Sequence, residues 1–512
     1  MKSNSRTKNS LKNVTFGTIF KLVGILFPFI IKTMIIKNLG IEYLGLNSLF
    51  TSILSVLSLS ELGISGALVF NMYKPIAEKD ISKVNSLLKI YRDVYRIIGG
   101  IIAILGIFLL PFLKYFIKGT YPQDINIYIL YLIYLFNTVL SYFLFAYKKS
   151  IWEANQLNSY NSILETITTL VMYVSQIIVL VIFKNYYVYL IFLPITTLLL
   201  NILRNYFVNK TFPQYKCEGN IEKGLIKDLY RKVKALIGHK IGTTVITSAD
   251  SLVISAILGL EVLAIYSNYY LIINAVIGLI TIFYTSITAG IGDKIVCDNI
   301  ESIRKNFYNL TFINNWIVSW SSICLVCLFQ PFMKIWMGEN LMFGLDMVVL
   351  LGIYFYTWLV RRIGLTFKDA AGMWERDFWK PYVGMVINVL ANIILCKTIG
   401  VAGAVISTII VMVCIYFPWE TYVVFKDILK CSPKKYYIQM FFYMLITGIV
   451  CLTTYICCTF IDFDSIFALI FKGVICCIVP NIIFIIVYRK NEEFLFIVKK
   501  YFMPILHKKQ VL

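Results

Sequence analysis

Apolar residues along this chain of 512 come in blocks of about 20 or more, parted by short polar stretches. A block of that length matches the helix needed to cross a hydrocarbon core of about 30 Å. Fourteen blocks read as spans, at residues 14–37, 43–70, 88–113, 122–147, 158–183, 186–208, 232–258, 262–290, 307–333, 341–367, 378–397, 401–425, 436–460 and 464–488. The short alternating segments of a membrane β-barrel are absent. The pattern therefore predicts an all-α polytopic membrane protein with 14 transmembrane helices.

The blocks repeat. Leu39-Gly40-Ile41-Glu42-Tyr43-Leu44-Gly45 returns as Leu258-Gly259-Leu260-Glu261-Val262-Leu263-Ala264, at an offset of 219. Pro111-Phe112-Leu113-Lys114 returns as Pro331-Phe332-Met333-Lys334 at an offset of 220, and Tyr147-Lys148 falls opposite Phe367-Lys368. So long a period marks a duplicated unit. Each unit holds six spans, and six is even, so both enter the membrane in the same sense. The expectation is two six-helix lobes related by a pseudo-twofold axis along the membrane normal, followed by two extra C-terminal helices. The expected layout is a tail at 1–13, an N-lobe at 14–208, a linker at 209–231, a C-lobe at 232–425, the two added helices at 436–488, and a tail at 489–512.

Charge then orients the chain. It carries 48 Lys and Arg and a net charge of +21. Of the 48, 38 lie in the tails and connections of one side or in the span ends that flank them, six lie likewise on the other, and Lys21, Lys32, Lys240 and Lys472 lie deeper within spans. Basic residues collect on the cytoplasmic side, so both termini are expected there. A basic excess spread over span ends in this way argues against a nucleic-acid partner. A mean hydropathy of +0.77 with only 15% charged residues excludes a soluble domain of this size. The first block holds Lys21, Pro28 and Lys32 and is too long for a cleavable signal, so it is expected to stay as the first helix.

Chemistry of the enzymatic kind has little room. Connections on the sparsely charged side are no longer than about a dozen residues. There is no P-loop, no HExxH, no Ser-His-Asp candidate set, and the chain has two histidines. The chain is read as no enzyme. The twelve cysteines, Cys324 and Cys327 included, are read as small residues suited to packing in lipid.

Ionisable groups inside spans carry the functional expectations, because each costs at least about 2.5–3.5 kcal/mol to insert. Lys21 and Lys240 are 219 residues apart and occupy the same place in the first helix of each repeat. A twofold axis would set them on opposite walls of one cavity, with His239 and Lys32 nearby. This predicts a cationic cavity for an anionic head group, lysine being a compact charge with three donors. Glu61, Glu165 and Asp250 are expected either to neutralise these lysines or to hold a coupling Na⁺ or H⁺, the only cofactor expected. Asp250 with Asn388 or Asn392 and with Ser407 or Thr408 would offer oxygen ligands for Na⁺, and Glu61 also suits a structural or gating role. Pro28 removes a backbone hydrogen bond in mid-helix, which suits a gate. Tyr131, Tyr134, Tyr142, Tyr354 and Tyr356 are candidate stacking platforms for sugar rings.

The stretch LGIEYLGLNSLFTSILSVLSLSELGI, followed by Tyr73-Lys74-Pro75 and Lys79-Asp80, resembles the Gram-positive branch of the Wzx-type polysaccharide flippases. These belong to the multidrug/oligosaccharidyl-lipid/polysaccharide exporter superfamily. YKKSIWEANQLNSYNSI is similar to the inner loop of that family. The resemblance implies a carrier in the bacterial cytoplasmic membrane that moves undecaprenyl-diphosphate-linked oligosaccharide outward by alternating access, for capsule or another surface polysaccharide. It implies membrane lipids, a polysaccharide polymerase and assembly proteins as partners. It makes Lys21, Lys32, His239 and Lys240 the candidate ligands of the diphosphate, where relatives often carry Arg. Other readings are a lipid II flippase or a cation-coupled drug exporter of the same superfamily. A membrane polysaccharide polymerase or ligase is the reading from another class.

Overall fold

A computed structural model of the chain describes residues 23–58, 64–219, 242, 244–373, 375–461 and 465–502. All regular structure among them is helical. The chain falls into two compact units, Met1–Ser267 and Asn268–Leu512. The first holds α1 (residues 23–38), α2 (Ile41–Leu57), α3 (Ile64–Glu78), α4 (Ile81–Leu109), α5 (Ile127–Phe143), α6 (Lys149–Ala154), α7 (Asn158–Ile182), α8 (Tyr186–Thr211) and α9 (Thr244–Leu258). Helix α10 (Leu260–Cys297) begins in the first unit and continues into the second. There follow α11 (Ile300–Met337), α12 (Leu345–Val360), α13 (Arg362–Ala370), α14 (Lys380–Ile399), α15 (Val401–Val411), α16 (Phe417–Val423), α17 (Lys434–Thr459), α18 (Ile466–Tyr488) and α19 (Glu492–Ile497).

Short polar side chains start six of these helices. The first amides of a helix have no partner within it, and Asp, Asn or Ser just before it supplies one. Asp80 accepts from the Lys83 amide at 2.9 Å, Asn185 from Val188 at 3.1 Å, and Asn299 from Ser302 at 2.9 Å. Asn126 and Ser465 do the same for α5 and α18. Turns recur with the sequence repeat. Positive φ is found at Gly40 (130°) and Gly259 (104°), and at Gly119 and Gly338 (84° each), both pairs 219 apart. Gln156 (61°) and Gly372 (68°), and Lys184 (47°) and Gly400 (67°), pair at an offset of 216. The chain makes the same turn at the same place in each copy, even where one copy lacks the glycine that such a φ favours.

Ten helical segments among the described residues are long and apolar enough to cross a membrane, and α5 with the segment Phe145–Ala154, bent by 48°, makes an eleventh. The remaining expected spans fall on α1, on α2 with α3, and on α9. The expected limits fail most at α10 and α11. Each has 38 residues, or about 57 Å of helix, nearly twice a hydrocarbon core. Residues 291–306, expected as a connection, are helical but for two residues, because no proline interrupts them and Asn299 caps α11 at once. The surface is the reverse of a soluble protein. Ile104, Phe108, Ile182 and Phe467 are about two-thirds exposed, while Asn268, Asn314, Asn388 and Ser319 are fully buried. A continuous apolar surface of that kind has lipid as its solvent.

Close helix approach depends on glycine. A Cβ on Gly45 of α2 would run into the carbonyl oxygen of Leu260 at the start of α10. Gly100 of α4 has nothing within 4 Å of such a Cβ. Gly45→Val should therefore cost roughly 1–3 kcal/mol through overpacking. Gly100→Ala should be neutral or slightly stabilising, since alanine is the better helix former. Thermal unfolding of the purified protein in detergent checks both; equal midpoints for the two variants would refute the contact.

Candidate functional site

Polar side chains buried in an apolar body mark where the chain has a task or a debt. Lys32 of α1 reaches α10: its ammonium donates to the Ser267 carbonyl oxygen at 2.8 Å and to Ser267 Oγ at 3.1 Å. An ammonium has three donors, so one remains for another acceptor. Lys21, His239, Lys240 and Glu61 lie outside the described residues. Pro28 sits inside α1, where its missing N–H frees the carbonyl of Gly24.

The acids have partners. Glu165 of α7 pairs with Arg204 of α8 at 3.0 Å, and the same guanidinium donates to Asn201 Oδ1 at 3.0 Å. Asp250 of α9 is buried, and the Tyr266 hydroxyl donates to it at 3.4 Å. In the second unit, Asn388 of α14 donates through Nδ2 to Thr408 Oγ1 at 2.9 Å, with Ser407 Oγ at 3.5 Å. Its buried Oδ1 has no hydrogen-bond partner among the described residues. Asn392, one turn on, accepts from the Cys396 thiol at 3.4 Å. Asp250 belongs to the first unit, and Asn388 and Asn392 to the second.

The five tyrosines read as sugar platforms are buried in packing instead. Tyr131 sits edge-on to Phe50, and Tyr142 tilts against Tyr95. The hydroxyl of Tyr134 donates to Asn47 at 2.6 Å, Tyr354 pairs with Tyr270 at 2.8 Å, and Tyr356 donates to Asn315 at 3.1 Å. A phenol needs a hydrogen-bond partner when it leaves water; neighbouring helices supply one to Tyr134, Tyr354 and Tyr356, while the buried Tyr131 hydroxyl has none among the described residues. The cysteines are all free. Cys327, Cys458 and Cys476 gather their sulfurs within 4.8 Å of one another. Only these three were found, among the described residues, in an arrangement that could hold a metal ion.

The largest feature is one the sequence reading passed over. Five charged side chains in the second unit form a buried chain. Arg361 meets Glu420 at 2.6 Å, Glu420 meets Lys380 at 2.7 Å, Lys380 meets Asp377 at 2.6 Å, and Asp377 meets Lys368 at 2.7 Å. All five are at most 7% exposed at the side chain. Tyr416 lays its ring under both Arg361 and Lys380. Three cations face two carboxylates. The signal was present: Glu420 lies inside the expected span 401–425, where an acid is costly. At the offset of 216 seen in the turns, Arg204 corresponds to Glu420, and Glu165 falls beside the counterpart of Lys380. Each unit thus joins two of its helices by an ion pair, with the signs exchanged between Arg204 and Glu420.

Removing one member of a buried pair strands the other. Glu420→Gln should therefore destabilise the protein by roughly 3–5 kcal/mol. Glu339→Gln, which breaks the solvent-facing Lys334–Glu339 pair of 2.7 Å, should cost no more than about 1 kcal/mol. Unfolding midpoints in detergent measure both, and comparable losses would remove the network from its structural role.

Comparison with known proteins bears on this arrangement. Residues 10–288 match the family described as polysaccharide biosynthesis protein. The fold is similar to that of the lipid II flippase MurJ in an inward closed conformation, with 16% identity and a TM-score of 0.65 over 93% of this chain and 99% of that one. It is similar to an inward-facing multidrug resistance MATE family transporter of the MOP superfamily, with 14% identity and a TM-score of 0.58 over 81% of this chain and 99% of that one. A Vibrio cholerae MATE transporter in its bent form matches at 14% identity and a TM-score of 0.55, over 83% and 98%. No curated protein sequence matches. At such identities the structures speak for the fold alone, and the family match carries the assignment. The chain belongs to the polysaccharide biosynthesis protein family and is a multi-pass, all-helical membrane protein with the fold shared by MurJ and the MATE transporters.

Proposed function

We propose that this protein is a flippase. It carries an undecaprenyl-diphosphate-linked oligosaccharide from the inner to the outer leaflet of the bacterial cytoplasmic membrane, supplying capsule or another surface polysaccharide. The observation that carries the reading is a polysaccharide-biosynthesis family match on a chain with a transporter's fold. In this reading both termini are cytoplasmic, the chain crosses 14 times, and a polymerase works downstream of it. Lys21 and Lys240, equivalent in the repeat, grip the diphosphate with His239. Lys32 adds its third donor, or exchanges its Ser267 contacts for phosphate. Pro28 weakens α1 enough for it to bend as access alternates. Moving about two negative charges outward across an inside-negative potential releases about 2.3 kcal/mol per charge per 100 mV. The cavity lysines stay behind, so export runs downhill electrically.

Resetting the empty carrier is the step that an ion would assist. The unpartnered Asn388 Oδ1, beside Thr408 and Ser407, is the described oxygen best placed to receive Na⁺, with Asn392, Asp250 and Glu61 as further candidates. Glu165 is held by Arg204 and would have to leave it first. A second reading, lipid II flipping, is favoured by one observation: the likeness to MurJ spans 99% of that protein. Both readings share the polyprenyl diphosphate and differ in the sugars.

The test is the leaflet in which the lipid-linked sugar resides. Deleting the gene should trap the repeat unit on the inner leaflet, out of reach of a non-permeant sugar-modifying reagent on spheroplasts, and the wild-type gene should release it. If lipid II accumulates instead, the second reading holds. If sugar units reach the outer leaflet unpolymerised, the flippase reading is wrong. Lys21→Ala with Lys240→Ala should abolish export from a protein that still inserts at wild-type level; normal surface polysaccharide would strip these lysines of their role. In proteoliposomes, replacing Na⁺ by choline should slow wild-type transport, and Asn388→Ala should erase that difference. A wild-type rate indifferent to the cation would end the Na⁺ assignment.

A further inference from the structure

One cleft of the second unit is built unlike the rest of the apolar surface. It has a volume of about 530 Å³ and is lined by Phe312, Trp316 and Ile317 of α11, Asn481 and Ile485 of α18, and Phe494 of α19. Trp316 stacks on Phe494 with planes 8° apart and centroids 5.9 Å apart. Its indole N–H donates to Asn481 Oδ1 at 2.8 Å. Asn481 Nδ2 in turn donates to the Cys477 carbonyl oxygen at 2.8 Å, so the polar side-chain atoms of the wall are paired and an apolar groove remains.

Cations crowd one end of this groove. Lys305 lies two turns before Phe312 on the same face of α11, and its ammonium is 5.4 Å from the centroid of the Phe496 ring. The ammonium of Lys500 is 5.5 Å from the same ring. The two charges are therefore no more than 10.9 Å apart. Lys435 sits over Tyr308, one turn from Lys305, at 5.5 Å. All three lysines are exposed. Lys305 and Lys435 have no carboxylate partner among the described residues; the acids of this segment are Glu492 and Glu493, in the first turn of α19. Like charges gathered on one ring repel, and each cation–π contact returns only about 0.5–1 kcal/mol at an exposed site. A phosphate set between them would offset that repulsion.

We propose that this cleft and its lysine rim bind an anionic diacyl phospholipid, its phosphate at Lys305 and Lys500 and one acyl chain lying along Trp316. Charge at the rim and an apolar groove beneath it match a head group above its chain. The groove is closed by α18 and α19, which lie outside the repeated portion of the sequence. The occupant proposed is a resident membrane phospholipid rather than a carried substrate, so the inference does not depend on the flippase reading.

The full chain, reconstituted with brominated-chain phosphatidylglycerol or phosphatidylcholine at matched mole fractions, tests this through tryptophan quenching. Phosphatidylglycerol should quench at lower mole fraction, by about fivefold for each lysine and about 30-fold for two. Trp316→Phe should remove that selective component and leave quenching of the other tryptophans equal for both lipids. K305Q with K500Q should lose the preference, while K305R with K500R keeps it. K305Q alone, at an exposed position, gives the partial loss if the double variant fails to fold. Equal quenching by the two lipids in the wild type overturns the proposal. So does a preference that survives K305Q with K500Q. Displacement of the brominated lipid by a polyprenyl diphosphate but not by unbrominated phosphatidylglycerol would make this a substrate site and overturn it too.

Discussion

Water is not available in hydrocarbon to complete a polar group, so each N–H, carbonyl and charge must find its partner within the protein. This constraint governs the fold at every scale. It allows helices and forbids loose backbone, which explains why all regular structure among the described residues is helical. It puts Asn, Asp or Ser at helix starts, where amides would otherwise go unpaired. It also forces buried charge into chains of alternating sign, of which Arg361–Glu420–Lys380–Asp377–Lys368 is the longest among the described residues. That chain ties the end of α12 and the body of α13 to the start of α14 and to α16, so those segments hold together as one block.

The carrier proposed above would need such blocks. Bodies that change access must move as units, and a unit whose helices are joined by buried ion pairs and by glycine-scale contacts resists internal slippage. The recurrence of the α7–α8 ion pair in α14–α16 with reversed sign fits this view. What was preserved is neutralisation between two helices, not the identity of either charge. Lys32 is different. Its contacts are a backbone oxygen and a hydroxyl, neither of which cancels its charge, so among the described residues it keeps an attraction for an anion.

Much of this was legible because lipid imposes long apolar blocks. The helices sit where the blocks do, and the glycine turns recur at the offset read from the repeated LG-Leu/Ile-E motif. The errors were of two kinds. Residues 291–306 were assigned to a connection because they are polar, yet polarity outside the bilayer does not end a helix; caps and prolines do. The tyrosines are candidates for sugar stacking because they are aromatic, and composition alone does not say which side of a helix faces its neighbours.

The sequence by itself determined the solvent, the helices and the duplication, since each of these follows from the order of apolar and polar residues along one dimension. Only the tertiary structure decided which charges neutralise which. Lys380, three residues from Asp377 and 40 from Glu420, could be counted in sequence as one more loop cation. Its ammonium lies within 2.7 Å of both carboxylates. Pairing of that kind depends on distances of a few ångströms between separate helices, and those are set by packing, which no linear pattern encodes.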